Sequence, residues 1–112
     1  MASDKVFQTK LGTTRAGERT RIWLEGKRLI AHGFNHAECV AREWSDGKLV
    51  LRAVGRATWE ALPRDEKTTV AGNAARPIID IATERVATTF SGSHVRVAYR
   101  AGHITITNQP NE

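Results

Sequence analysis

Apolar and polar residues alternate along several short segments of this chain, and a period of two predicts half-buried β-strands. Glycine-containing turns separate these segments. Two short stretches, 27–32 and 84–88, have helical character, and Gly33 is placed to end the first of them as a C′ glycine. The predicted strands are 6–10, 20–24, 38–44, 48–51, 67–71, 77–81, 94–99 and 103–107.

Two pairs of these strands are predicted to form β-hairpins. Asp46-Gly47 joins strands 38–44 and 48–51, and Ala101-Gly102 joins strands 94–99 and 103–107. Asp-Gly is the stronger of the two signals, because a type I′ turn needs positive φ at both central residues. Between the hairpins, 57–62 is predicted to form a helical turn that Pro63 stops.

An internal repeat organises the chain. The segment beginning at Arg21 matches the segment beginning at Pro77 at an offset of 56 residues, and after a one-residue gap the offset becomes 55. The matched pairs include Ile22 with Ile78, Ile30 with Val86, Phe34 with Phe90, Val40 with Val95, Trp44 with Tyr99 and Leu49 with Ile104. The order strand, strand, helix, strand, strand (ββαββ) therefore occurs twice. We expect a first repeat at 1–51, a connector at 52–66, a second repeat at 67–107 and a flexible tail at 108–112, all in one domain.

The composition agrees with one small soluble domain. The chain has 112 residues, of which 40% are apolar and 26% charged. No window approaches the roughly 18 apolar residues that a membrane span requires, and the first residues lead into no apolar segment of a signal peptide. The single cysteine, Cys39, excludes an internal disulfide framework and fits a reducing cytoplasm, where we expect the protein to be.

The charge is basic. Seventeen basic residues oppose 12 acidic ones, a net charge of +5, and 12 of the basic residues are arginine, whose planar fork of donors suits phosphate. Residues 1–51 and 67–111 each carry +3, whereas the connector is neutral. Nucleic acid or another acidic surface is therefore the leading class of partner.

Residues of the first repeat resemble a known group of proteins. The segment 21–34 (RIWLEGKRLIAHGF), continued by Val40 and by 47–51 (GKLVL), resembles the SymE-like group, in which an apolar strand leads to a Gly-Lys-x-Leu helix start, a Gly-Phe helix end and a hairpin. That group shares the swapped-hairpin fold of the AbrB and MazE regulators. The second repeat is similar to the same unit in weaker form, with Ala82-Thr83 in place of the Gly-Lys pair.

The resemblance implies a fold. We expect a mainly β chain with short helices, in which two ββαββ repeats form a pseudo-twofold swapped-hairpin β-barrel as a monomer or a homodimer. One repeat alone supplies too little core to bury its own strands. The apolar set that would pack together is Ile22, Leu24, Val40, Leu49 and Leu51 against Ile78, Ile81, Val95, Ile104 and Ile106.

The resemblance also implies a function. AbrB-type members are mostly non-catalytic DNA-binding regulators, such as repressors and antitoxins, so duplex DNA is the favoured partner and RNA the second. The residues carried over by position are Arg15, Arg19, Arg21, Lys27, Arg28 and Arg76. The segment 10–28 holds six basic residues against Glu18 and Glu25, the densest positive stretch of the chain. The alternative interpretation of this segment is a solvent-exposed basic hairpin beside a core strand.

Two other functions stay open. SymE itself is described as an RNA-targeting toxin, which implies phosphodiester cleavage, and Glu25, His32 and Arg28 are the clustered residues that such chemistry would use. Alternatively, the basic face engages an acidic protein surface, as in an inhibitor or adaptor.

Cofactor chemistry is not expected. His32, His36 and Cys39 have ligand types that zinc uses, but Gly33-Phe34 is predicted to end the helix between the histidines. We therefore expect no metal and no cofactor.

The chain also has three tryptophans. Base stacking is one interpretation, but core or hairpin support is expected for Trp23, Trp44 and Trp59.

Overall fold

The computed structural model describes residues 5–13, 17 and 19–109. The first half forms strands β1 (Lys5–Lys10), β2 (Gly12–Thr13) and β3 (Thr20–Glu25), helix α1 (Lys27–Ala31), and strands β4 (Cys39–Ser45) and β5 (Lys48–Ala53). Helix α2 (Arg56–Glu60) and a 3-10 turn (Arg64–Glu66) follow. The second half forms strands β6 (Lys67–Thr69), β7 (Ala71–Gly72) and β8 (Pro77–Ile81), helix α3 (Glu84–Thr89), and strands β9 (His94–Arg100) and β10 (His103–Asn108).

The predicted elements are confirmed, most of them with bounds within two residues. The sequence pattern missed β2, and it joined β6 and β7, which a residue at 70 separates. Both predicted hairpins form, β4 with β5 around Asp46-Gly47 and β9 with β10 around Ala101-Gly102. The expected type I′ turn is wrong for both, because only the glycine of each turn has a positive φ, 64° at Gly47 and 71° at Gly102. Within the described ranges, no helix is long and apolar enough to cross a membrane.

The strands form two antiparallel sheets, and the predicted mainly β class with short helices is confirmed. The large sheet has the strand order β1-β9-β10-β5-β4-β6, and the small sheet has the order β2-β3-β8-β7. Neither sheet is closed on itself.

Strands from the two halves of the chain interleave. Strand β1 pairs with β9 along its whole length, from Lys5 opposite Tyr99 to Lys10 opposite His94. Strand β6 pairs with β4 at the other end of the large sheet. At the centre of each sheet, β10 pairs with β5 and β3 pairs with β8. The first strand of each half is thus held by a hairpin of the other half.

One hydrophobic cluster joins the inner faces of both sheets with the helices. Alternate residues of the strands enter it, and helices α1 and α3 each contribute one buried residue, Leu29 and Val86. The strand residues of the cluster are Ile22, Leu24, Val40, Leu49, Leu51, Ile79, Ile81, Val95, Val97, Tyr99, Ile104 and Ile106. All the core residues expected from the sequence are present except one.

That exception is a shift of register in β8. Ile79 is fully buried opposite Leu24, whereas Ile78 lies on the other side of the strand, opposite Glu25. Likewise Leu29 is buried while Ile30 remains 38% exposed. The match of Ile22 with Ile78 and of Ile30 with Val86 was therefore off by one residue. In a strand such a step exchanges the two faces, because side chains alternate with a period of two.

Candidate nucleic-acid interface

Arg21, Trp23 and Glu25 of β3 and Asp80 of β8 point away from the core, on what we call the small-sheet face. The Arg21 guanidinium donates two hydrogen bonds to the Asp80 carboxylate, from Nε to Oδ1 at 3.1 Å and from Nη2 to Oδ2 at 2.8 Å. The Arg21 guanidinium carbon also lies 5.0 Å from the Trp23 ring centroid. This predicted contact to nucleic acid therefore has a carboxylate partner within the chain.

Arg76, which directly precedes β8, is similarly paired. Its Nε donates to Glu25 Oε2 at 2.8 Å. The hydrogen bond from Arg76 lowers the pKa of the Glu25 carboxyl below its ordinary value. Two arginines of the predicted set thus each pair with a carboxylate on the small-sheet face.

Lys27 and Arg28 lie at helix α1, next to aromatic side chains. The Arg28 guanidinium carbon is 3.4 Å from the Phe7 ring centroid. Tyr99 packs beside them, with its ring centroid 5.3 Å from that of His32 and 5.9 Å from that of Phe7. Burial raises the pKa of the Tyr99 hydroxyl, and the positive charge of Arg28 partly opposes that rise.

The remaining predicted residues are Arg19 and Arg15. Arg19 Nη1 donates to the Ala82 carbonyl oxygen at 3.4 Å. Arg15 lies outside the described residues. The structure thus spreads the predicted set over two places, the small-sheet face and helix α1, and the assignment of these residues to nucleic acid stays a prediction.

A second basic surface lies on the large sheet. Strands β1, β9, β10 and β5, and β4 from Glu43 onward, turn one side toward the core and the other toward solvent, and we call the solvent side the outer sheet face. Its basic residues are Lys10, Lys48, Arg52, Arg96 and Arg100. His94 and His103 lie on the same side. None of the five arginines and lysines belongs to the set predicted from the sequence.

Acidic residues are scarce on the outer sheet face. Its five strands carry one carboxylate, Glu43, and the Asp46 of the hairpin turn adds another at one edge. Glu43 Oε2 accepts hydrogen bonds from Arg52 Nη2 at 2.6 Å and from Arg52 Nε at 3.0 Å. Arg96 and Lys48 are exposed on this face. Because opposite charges are few here, the face concentrates positive potential, whereas the small-sheet face does not.

A sequence signal for this face existed. Arg96 and Arg100 alternate with the apolar Val95, Val97 and Tyr99, and Lys48 and Arg52 flank the alternating Leu49 and Leu51. Period two places such cations on the solvent side of their strands. The strand order, which brings β9 and β5 to the two sides of β10, was needed to assemble them into one surface.

The residues considered for catalysis or metal binding have separate partners. Glu25 is paired with Arg76, whereas Arg28 and His32 contact Phe7 and Tyr99. His32 Nδ1 is 2.7 Å from the Arg28 carbonyl oxygen, which accepts its hydrogen bond. In the described part of the chain, no three histidine, cysteine or acidic side chains are grouped so that they could hold a metal ion.

The tryptophans have two roles. Trp44 Nε1 donates to the Asp65 carbonyl oxygen at 3.0 Å, and Trp59 Nε1 donates to that of Thr68 at 2.8 Å. The prediction of structural support is confirmed for these two. Trp23 differs, because it is 38% exposed at the centre of the small-sheet face.

Comparisons with models of protein families, with curated proteins and with solved structures found no match to this chain.

Proposed function

We propose that the chain is a small, non-catalytic DNA-binding regulator, built as a swapped-hairpin unit of the AbrB-like kind from two ββαββ repeats. The strand order supports the architecture. If β1 is exchanged with β6, β4 with β9 and β5 with β10, the strand order of the large sheet becomes the same order read from its other edge. Exchanging β2 with β7 and β3 with β8 does the same for the small sheet. Such invariance is what a pseudo-twofold axis between two repeats would produce.

Burial gives a physical reason for the interleaving. Ile22 of β3 lies opposite Ile81 of β8, and Leu51 of β5 lies opposite Ile104 of β10, so core residues meet across the two halves. A two-stranded hairpin with one short helix is at best marginally stable in water. Each half therefore depends on the other for its apolar cover, and one chain completes a unit without a second copy.

The observation that carries the function is the outer sheet face. Its strands carry five lysines and arginines against one carboxylate, Glu43, which pairs with Arg52, whereas Arg21 and Arg76 of the set predicted from the sequence each pair with a carboxylate. Cations that neutralise phosphates release counterions, and this release drives binding to nucleic acid. Exposed cations on a sheet face are suited to contacts with phosphate, so binding to nucleic acid is the function that the outer sheet face supports best.

The test is a salt titration of duplex DNA binding, measured by fluorescence anisotropy. We expect affinity that falls by tenfold or more between about 50 and 200 mM salt. Arg96→Gln on the outer sheet face is compared with Lys27→Gln at helix α1, since each removes one exposed positive charge. We expect the former to weaken binding and the latter to change it little. Absence of duplex binding at low salt would overturn the proposal, and a larger effect of Lys27→Gln would move the interface to helix α1.

A further inference from the structure

The cations of the outer sheet face lie in two rows that run across the strands. In one row, Arg96 of β9 and Lys48 of β5 both lie opposite Thr107 of the intervening strand β10. In the other, Arg100 and Arg52 both lie opposite His103. Each pair is in register across β10, so the rows follow directly from the strand pairing.

The spacing of the rows follows from strand geometry. Arg96 and Arg100 are four residues apart on β9, as are Lys48 and Arg52 on β5. At about 3.4 Å per residue, the rows are about 14 Å apart. Within a row, β9 and β5 are separated by two strand spacings, or about 10 Å. The four basic side chains therefore mark the corners of a rectangle.

The row between them is neutral and holds no aromatic side chain. It consists of Val6, Ala98, Thr105 and Val50, and Glu43 of β4, which lies next to Val50 outside this row, pairs with Arg52. The aromatic residues of β1 and β9, Phe7 and Tyr99, point to the opposite side of the sheet. A surface that binds single strands stacks bases on aromatic rings, at about 1–3 kcal/mol per base. The row between the cations offers no such platform.

We propose that the two rows contact the two phosphate backbones of one nucleic-acid duplex, with the neutral row facing the groove between them. This inference rests on the proposed function and specifies its ligand. A separation of about 14 Å is close to the roughly 12 Å width of the major groove of B-DNA, and the lengths of arginine and lysine side chains absorb the difference. An open depression of about 260 Å³, bordered by Val6, Gln8 and Arg96, provides room beside one row.

This mode of contact has a consequence for specificity. Phosphate contacts fix the position and orientation of a protein on the duplex but carry no sequence information directly. The neutral row presents methyl groups and the Thr105 hydroxyl toward the groove, and it presents no amide or guanidinium that would pair with a base edge. We therefore expect duplexes of different sequence to bind with similar affinity.

The experiment compares one 20-base-pair duplex, a duplex of shuffled sequence and the corresponding single strand, each measured over the same series of salt concentrations. Arg96→Gln and Arg100→Gln each remove one cation from a different row. We expect each to lower duplex affinity about threefold to tenfold and to reduce the magnitude of the salt slope by about 1. Thermal melting of each variant shows that folding is retained.

Thr105→Tyr supplies the gain-of-function arm, because it places an aromatic ring in the neutral row. We expect it to raise affinity for the single strand without raising affinity for the duplex. Equal or tighter binding of the single strand by the unaltered protein would overturn the two-row assignment, as would an effect of only one row on the duplex. In both cases nucleic acid still binds, so the proposed function stands. Binding to none of the three ligands would instead overturn the proposed function itself.

Discussion

Arg21 and Asp80 are 59 residues apart in sequence, and a two-pronged ion pair joins them across the β3–β8 strand pair. The pair connects the two halves of the chain on the outside of the small sheet, where the side chains are 27% and 31% exposed. A guanidinium held in this way has its fork of donors directed at a carboxylate. Arg21 therefore contributes to the association of the halves.

The first prediction is that this pair contributes measurably to stability. In a double-mutant cycle of Arg21→Ala and Asp80→Ala, we expect a coupling energy of about 1 kcal/mol, toward the upper end for partly exposed pairs because two hydrogen bonds are made. Urea unfolding of the four proteins measures it. A cycle of Arg52→Ala and Glu43→Ala, a more exposed pair, is the control and should give a smaller value. Strictly additive effects at Arg21 and Asp80 would contradict the structural role.

The register of β8 gives the second prediction. Ile79 is fully buried opposite Leu24, and Ile78 is only partly covered on the small-sheet face. Ile79→Ala should cost about 3 kcal/mol of unfolding free energy, since it opens a cavity in the core, whereas Ile78→Ala should cost about 1 kcal/mol or less. The same substitution at adjacent positions provides its own control. Reversed costs would place Ile78 in the core, as the sequence alignment suggested, and equal costs would contradict the difference in burial between the two residues.

These two isoleucines also show that the sequence pattern predicts the strand β8 but not which of its faces is buried. Hairpins were predicted because Asp46-Gly47 and Ala101-Gly102 stand between strands with clean alternation. In β8, Pro77, Ile78, Ile79 and Ile81 are all apolar, so the pattern does not mark which face is buried. Only pairing with β3, whose Ile22 and Leu24 alternate clearly, selects the face.

The site was less predictable than the fold. Arg21 lies in the densely charged segment 10–28, which favoured it as a binding residue. Asp80, the carboxylate that neutralises Arg21, lies far along the chain. Conversely, Arg96 stands in a sparsely charged segment and Lys48 among residues of both charges, and the two come together only through the strand order β9-β10-β5. Charge density along a chain reports neither the pairing of charges nor their assembly on a sheet, because both depend on contacts between distant segments.

The third prediction concerns alkaline pH. Burial holds the pKa of the Tyr99 hydroxyl above its ordinary value of 10.0. The unfolded chain therefore loses this proton at a lower pH than the folded chain does. Its contribution to stability is complete below about pH 10 and declines as the pH rises through the higher folded pKa. Tyr99 is the sole tyrosine, so the near-ultraviolet absorbance of the phenolate reports its titration alone.

Two variants check the cause. Arg28→Ala removes a positive charge that favours the phenolate, so the pKa of Tyr99 should rise further. Tyr99→Phe should lessen the loss of stability as the pH rises above about 10. A Tyr99 that titrates at or below its ordinary pKa in the folded protein would contradict its burial against His32 and Phe7.

The fourth prediction concerns the turn between β7 and β8, which depends on a left-handed glycine. Gly72 has φ +80°, and a Cβ built there overlaps the Arg76 carbonyl oxygen. The turn has little freedom to adjust, because the Asn73 side-chain oxygen accepts hydrogen bonds from the backbone N–H groups of Ala75 and Arg76, at 3.1 and 2.9 Å. We expect Gly72→Ala to cost about 2 kcal/mol or more of unfolding free energy.

Gly55 supplies the matched control for Gly72→Ala, since both substitutions add one methyl group at an exposed glycine. Gly55 precedes α2 with φ −69°, an angle that alanine adopts readily, and its Cβ would meet nothing within 4 Å. Gly55→Ala should therefore change the unfolding free energy by no more than about 0.5 kcal/mol.

The turn between β7 and β8 also positions Arg76, which pairs with Glu25, so Gly72→Ala should also weaken that ion pair. Glu25→Gln should then lower the free energy of unfolding less in the Gly72→Ala background than in the unaltered protein. Equal costs in the two backgrounds would show that the turn does not affect the ion pair.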